Sequence, residues 1–169
     1  EVQTNSTTVT HAFANVGNYS VVVTATNGFG APVNASKTVV VSGRPITDVI
    51  LTKSAPAAPQ EDDLVSFAAT ISPANATQPV TYTWNFGDGS PVVVNNTSTI
   101  DHTFADPGTY TVTVTADNSF GSDSDNLVVV IGGRPITAVI LTKTAPATPL
   151  ANDLVSFEAT ISPANATQP

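Results

Sequence analysis

The sequence predicts an all-β protein made of β-sandwich modules arranged end to end. Three observations carry that prediction. Apolar and polar residues alternate with period two in several short runs, the pattern of strands with one buried face. Clusters of Gly, Pro, Asn and Asp punctuate those runs, and no stretch has helical periodicity. Blocks of sequence also return at a fixed spacing. Gly43–Thr47 recurs as Gly133–Thr137, Asp63–Phe67 as Asp153–Phe157 and Ile71–Pro79 as Ile161–Pro169, each 90 residues on. His11, Phe13, Gly17, Tyr19 and Phe29 match His102, Phe104, Gly108, Tyr110 and Phe120 at an offset of 91.

The complete module can be laid out strand by strand. Ile46–Lys53 is the first strand, entered from Arg44-Pro45. A loop containing Ala55 to Pro59 and Glu61-Asp62-Asp63 leads to Leu64–Ile71, where Val65, Phe67, Ala69 and Ile71 share one face. Ser72–Pro79 is rich in turn formers. Val80–Phe86 is the third strand, with Val80, Tyr82, Trp84 and Phe86 in phase, and Gly87-Asp88-Gly89-Ser90 ends it. Val92–Val94 is a short edge strand; Ser98–Phe104 follows, with Ile100, His102 and Phe104 in phase. Asp106-Pro107-Gly108 turns the chain into Thr109–Asp117, where Tyr110, Val112, Val114 and Ala116 alternate with Thr109, Thr111, Thr113 and Thr115. Asn118–Gly121 turns it again and Asp125–Ile131 closes the sandwich. The core is expected to contain Phe67, Ile71, Trp84, Phe86, Tyr110 and Val112, and the threonine row to face outward.

Trp84-Asn85-Phe86-Gly87-Asp88-Gly89-Ser90, followed by His102-Thr103-Phe104 and Pro107-Gly108-Thr109-Tyr110-Thr111-Val112, is a pair of motifs in fixed order and spacing. The pair resembles the polycystic kidney disease (PKD) repeat, over Arg44 to Gly132. The resemblance implies an immunoglobulin-like sandwich with the core motif Trp84, Phe86, Gly87, Asp88, Gly89, His102, Phe104, Gly108 and Tyr110. Asp106, Gly108 and Tyr110 stand as D-x-G-x-Y, much like the tyrosine corner of immunoglobulin-type sandwiches, where the hydroxyl bonds back to the backbone. Val112 stands where those domains place their second cysteine, so packing alone is expected to hold this core.

The repeats divide the chain into the back part of one PKD-like module (1–42), a complete module (43–132) and the front part of a further one (133–169). Joined tail to head, the two partial modules lack only the equivalents of Val80 to Pro91, 12 residues. The joints Val41-Ser42-Gly43-Arg44-Pro45 and Ile131-Gly132-Gly133-Arg134-Pro135 are short and contain Pro, so limited bending is expected. Each half-module is expected to leave apolar residues bare, Phe157 and Ile161 in one and Phe13, Tyr19 and Val21 in the other. Lone hairpins are marginal in water and unpaired edges invite another chain. The expectation is therefore that both ends are covered, by continuation of the polypeptide or by a second copy, and the missing Trp84-type strand favours continuation.

Composition excludes several function classes. The chain has 169 residues and no Cys, which removes disulfides, thiolate catalysis and Cys-type zinc sites. A net charge of -8 argues against nucleic acid and anionic lipid as partners. No run of about 18 apolar residues is present to insert into a membrane, and the ends show no leader or anchor pattern. Charged residues are only 11% while Thr, Ser and Asn abound, a surface suited to an extracellular or cell-surface setting.

Two sets of carboxylates are calcium candidates: Asp88 in its Gly-rich turn, and Glu61, Asp62 and Asp63 with Asp48 near a module end. Calcium takes about six to eight oxygens, and few others are close in sequence. Asp88 reads better as an acceptor for its own turn. The second set is not repeated, because Leu150-Ala151-Asn152-Asp153 keeps only Asp153. No other cofactor is expected. His11 and His102 share one module position, one per module, which fits a satisfied sandwich histidine and not a zinc or catalytic group. No G-x-S-x-G elbow is present, and Asp101 beside His102 points to the opposite face, so no enzyme is expected. Asn-x-Ser/Thr triplets at Asn5, Asn18, Asn34, Asn75, Asn95, Asn96 and Asn165 are glycosylation candidates.

These readings converge on a structural module of an extracellular or cell-surface repeat protein forming a stalk, sheath or filament. Its partner is itself, head to tail, with surface glycans or proteins as further contacts. The alternative is an accessory module of a secreted multidomain enzyme that holds polysaccharide or protein. Such a face needs an outward row of Trp or Tyr. Trp84, Tyr82 and Tyr110 have core phase, and only Phe29 and Phe120 fall in turns, which favours the structural reading.

Overall fold

The computed structural model describes residues 7–164, 166 and 167. It divides into two compact units, Glu1–Arg44 and Pro45–Pro169. The first contains an antiparallel hairpin of β1 (Gly17–Ala25) and β2 (Val33–Val41), paired from Gly17 with Val41 to Ala25 with Val33.

The second unit contains a β-sandwich of seven strands. They are β3 (Asp48–Ala55), β4 (Leu64–Ser72), β5 (Thr81–Asn85), β6 (Val93–Asn95), β7 (Thr99–Thr103), β8 (Gly108–Asp117) and β9 (Ser122–Ile131). One sheet has the order β3-β4-β7, the other β6-β5-β8-β9, and every pairing within them is antiparallel. The same unit carries a further hairpin, β10 (Ala138–Ala145) with β11 (Ser156–Ser162).

Period-two alternation places the core. Phe67, Trp84, Phe86 and Val112 are fully buried between the sheets, with Val49, Leu51, Val65, Phe104, Val114 and Val129 around them. Ile71 and Tyr110, expected inside, pack at the margin and are only partly buried. Tyr110 stays at the margin because its hydroxyl donates to the Asp106 carbonyl 2.9 Å away on the surface. The threonine row of β8 lies opposite Val112 and Val114: Thr109 and Thr111 are exposed, Thr113 and Thr115 half-buried.

Two strand starts differ from the sequence expectation by two residues or more. The first strand starts at Asp48 and not Ile46, although Ile46 is itself buried as a plug beneath the strand entry. The last starts at Ser122 and not Asp125. Ser122, Asp123 and Ser124 show no apolar alternation, yet they pair with Asp117, Ala116 and Thr115. Carboxylates of β9 also reach across to β3. Asp123 Oδ2 accepts from the Val49 amide at 3.1 Å, and Asp125 Oδ2 from the Leu51 amide at 2.8 Å. β3 is an edge strand with amides to satisfy, and β9 supplies side chains where a further strand would supply carbonyls.

The β10–β11 hairpin repeats the register of β3–β4. Ala138 pairs with Ser162 as Asp48 pairs with Ser72, and both hairpins shift register at their Lys-x-Ala step. Burial does not repeat. Val139 is 64% exposed where Val49 is 3%, and Phe157 60% where Phe67 is 1%. In the first unit Val21 and Val23 are likewise exposed while their counterparts Val112 and Val114 are buried.

Candidate functional site

The motif residues meet at one end of the sandwich. Gly87 has φ of 73°, and a Cβ there would stand 2.6 Å from the Thr111 carbonyl oxygen, so the turn against β8 admits only glycine. Asn85 Oδ1 accepts from the Gly87 amide at 3.0 Å. Gly89, with φ of 85°, completes the turn. The turn presents Asp88 to two groups. Its Oδ1 accepts from the Ser90 amide at 3.0 Å and the Ser90 hydroxyl at 2.5 Å, while Oδ2 lies 2.7 Å from His102 Nε2.

His102 sits in an aromatic ladder. Its ring stacks on Phe86 with centroids 3.7 Å apart and planes at 5°, and meets Phe104 edge-on at 4.7 Å. Phe104 in turn stacks on Tyr110 at 4.7 Å. Gly108 is a close-approach position, since a Cβ would come 3.2 Å from the Tyr110 ring. The first unit builds part of the same ladder: His11 meets Phe13 at 4.8 Å, Phe13 meets Tyr19 at 4.5 Å, and Tyr19 donates to the Asn15 carbonyl at 2.8 Å.

Electrostatics follow from these contacts. Burial alone would push the Asp88 carboxyl up. The bonds from the Ser90 hydroxyl, His102 and the Ser90 amide outweigh it and hold the group at about 2. Burial raises the phenols of Tyr82 and Tyr110, and for Tyr110 the Asp106 and Asp88 charges add to it. The chemistry of the set is structural. A hydrolytic relay needs histidine between carboxylate and hydroxyl, whereas here Asp88 stands between Ser90 and His102.

The second carboxylate set lies where the chain leaves β9. Glu61 is buried, Asp63 half-buried, and Asp62 exposed with φ of 63°. Asp48 is exposed at the start of β3. Among the described residues no three His, Asp or Glu side chains gather to hold a metal ion. The cation against this turn is Arg134. Its Nη2 donates to Asp63 Oδ1 and its Nε to the Glu61 carbonyl at 2.9 Å. The Gln60 amide holds the Asp63 carboxyl below its usual value, and Arg134 adds to this against the effect of burial.

Asn18 and Asn34 are exposed on the first hairpin, Asn75 in the loop after β4, and Asn96 after β6. Asn95 is half-buried, and its Oδ1 accepts from the Thr97 amide at 3.1 Å. Asn5 and Asn165 lie outside the described residues. Sequence reasoning placed Asp88 in its turn and His102 as a satisfied interior group but did not join them. Their separation of 14 positions, one in the turn after β5 and the other on β7 of the opposite sheet, left no local signal that would have paired them. It also missed the Asp123, Asp125 and Arg134 contacts, which span more than 70 positions.

Residues 30–131 match the sequence profile of the PKD domain. Human Polycystin-1 is 32% identical over 121 residues, which is 66% of this chain and 2% of that protein's length. The solution structure of the PKD domain from human VPS10 domain-containing receptor SorCS2 is 24% identical, with a TM-score of 0.48 over 64% of this chain and 94% of that one. PKD domains are typical of extracellular and cell-surface proteins and act as non-catalytic interaction modules. No helix among the described residues is long and apolar enough to cross a membrane. The profile match covers more than half of the sequence, and on that ground the chain belongs to the PKD domain family.

Proposed function

We propose that this chain is a length of tandem PKD modules serving as a structural spacer, a stalk, sheath or filament, outside the cell. One observation carries the reading. The β10–β11 hairpin has the sequence and register of β3–β4 but exposes the face that β3–β4 buries. In the complete sandwich that face is covered by β5, β8 and β9. At about 25 cal/mol per Å² of apolar surface, a bare Phe and two bare aliphatic residues are a standing driving force for completing the module. The same holds for the exposed face of the first hairpin. The partner is thus the remainder of a like module, in line, and the heterologous contact does not close on itself. N-glycans at the exposed Asn75 and Asn96 suit such a wall.

The accessory-binding alternative needs outward aromatics. Trp84 and Tyr82 are buried, and the exposed large aromatics in loops are Phe29 and Phe120, neither of which forms a flat row with another ring. The test is the mass of the native polypeptide, by denaturing electrophoresis and mass spectrometry of the source material. A species far larger than 17.3 kDa, containing these peptides, is expected. A native 17.3 kDa chain that runs as a monodisperse monomer overturns the reading.

A further inference from the structure

The segment leaving β9 is not a bare linker. Gly132 is stitched to the 59–61 turn on both sides, its amide donating to the Pro59 carbonyl and its carbonyl accepting from the Glu61 amide, each at 2.9 Å. Two residues on, the Arg134 amide donates to Glu61 Oε1 at 3.1 Å and to Thr167 Oγ1 at 2.6 Å. The Thr167 hydroxyl donates to the same Glu61 oxygen, and the Thr167 amide to the Arg134 carbonyl at 2.9 Å. The Arg134 guanidinium then spans back to Asp63 and to the Glu61 carbonyl. Glu61 is 7% exposed, so these bonds replace its water.

We propose that Glu61, Asp63, Arg134 and Thr167 form an orientation lock that fixes the β10–β11 hairpin against the end of the sandwich. The inference deepens the spacer reading, because that hairpin would be the front of the next module and the lock would set the angle between successive modules.

Three features distinguish a lock from incidental contacts. Glu61 joins three partners from two places in the chain, the Arg134 amide and side chain and the Thr167 hydroxyl, so neither side of the joint can turn without leaving a buried carboxylate short of donors. Gly133 lies so close that a Cβ would stand 2.5 Å from Thr167 Oγ1, so the joint is packed as well as bonded. An ion pair reinforces the bonds, the Arg134 guanidinium against the Asp63 carboxylate, with Asp62 turned out to solvent. The lock is also particular to its joint. The residues matching Glu61, Asp62 and Asp63 one repeat on are Ala151, Asn152 and Asp153, so the hub carboxylate is absent there. Stiffness would therefore differ from joint to joint along the array.

The experiment uses the whole 169-residue chain and two readouts. The sequence has no Cys, so two introduced ones, Thr70→Cys on β4 and Thr142→Cys on β10, take spin labels cleanly. Pulsed electron–electron resonance then reads the distance distribution between sandwich and hairpin. Amide exchange reads Gly132, Arg134 and Thr167. The parent is expected to give one narrow distance peak and protected amides. Glu61→Ala, Arg134→Ala and Gly133→Ala should each broaden the peak and cost the Arg134 and Thr167 amides about tenfold or more in protection, as lost charge-assisted bonds imply. Trp84 fluorescence should report an unchanged sandwich in each variant. A broad parent distribution, or a narrow one that all three variants keep, overturns the lock. Neither result bears on the native mass, so the lock and the array reading fail separately.

Discussion

Replacing Asp88 with Asn should remove a stabilising term that exists only above the acid range. The folded carboxyl titrates at about 2, against a usual 3.8. A group depressed on folding stabilises the native state above its unfolded pKa, and that stability is lost as pH falls through the folded value. For Asp88 the window runs from about 4 down to about 2, and the term is worth about 2 kcal/mol at pH 5. Asp88→Asn cannot titrate, so its stability lacks this term at every pH. The other carboxylates are common to both proteins and cancel in the difference. Urea unfolding followed by Trp84 fluorescence is the assay, because Trp84 is the sole tryptophan and fully buried. The gap between parent and variant should shrink by about 2 kcal/mol from pH 5 to pH 2, close to 2 M in midpoint for an m-value of about 1 kcal/mol/M. A gap that stays constant across that interval would refute the assignment of Asp88 as the depressed acceptor of Ser90 and His102.

Trp84→Ala should cost about 3–5 kcal/mol. Among the described residues its indole N–H has no acceptor, so the whole loss is packing, and far-UV circular dichroism in urea measures it. Gly87→Ala forces a Cβ against the Thr111 carbonyl at positive φ and should destabilise by about 1–3 kcal/mol in thermal melts. Asp125→Ala strands the buried Leu51 amide, with a cost of about 1–3 kcal/mol and a matching loss of Leu51 exchange protection.

Local chemistry made much of the sandwich legible. Strand phase located Phe67, Trp84, Phe86 and Val112, because a residue two positions along a strand must share its face. The tyrosine corner was legible for the same reason: Tyr110 reaches Asp106 within one turn. Contacts between strands that are not neighbours in sequence were not legible. Asp123 looks like a polar loop residue until β3 is placed beside it, since nothing in Ser122-Asp123-Ser124 names the amide it will accept from. The pairing at Asp63 was equally hidden, because sequence shows the charges of Asp63 and Arg134 but not that residues 71 positions apart meet. The fold class rested on periodicity; the polar contacts that tune it rest on tertiary placement.

The seam between β3 and β9 has a mechanical meaning. Val49 and Leu51 meet Asp123 and Asp125 in the same order, so the two strands run in parallel sense although they belong to different sheets. β3 is the first strand of the sandwich and β9 the last. Tension along the chain therefore enters at one end of the seam and leaves at the other. It slides the strands past each other and loads both carboxylate bonds together, where an antiparallel pair of terminal strands would be unzipped one bond at a time. In this sandwich the two aspartates, and not any backbone ladder, bridge the first strand directly to the last.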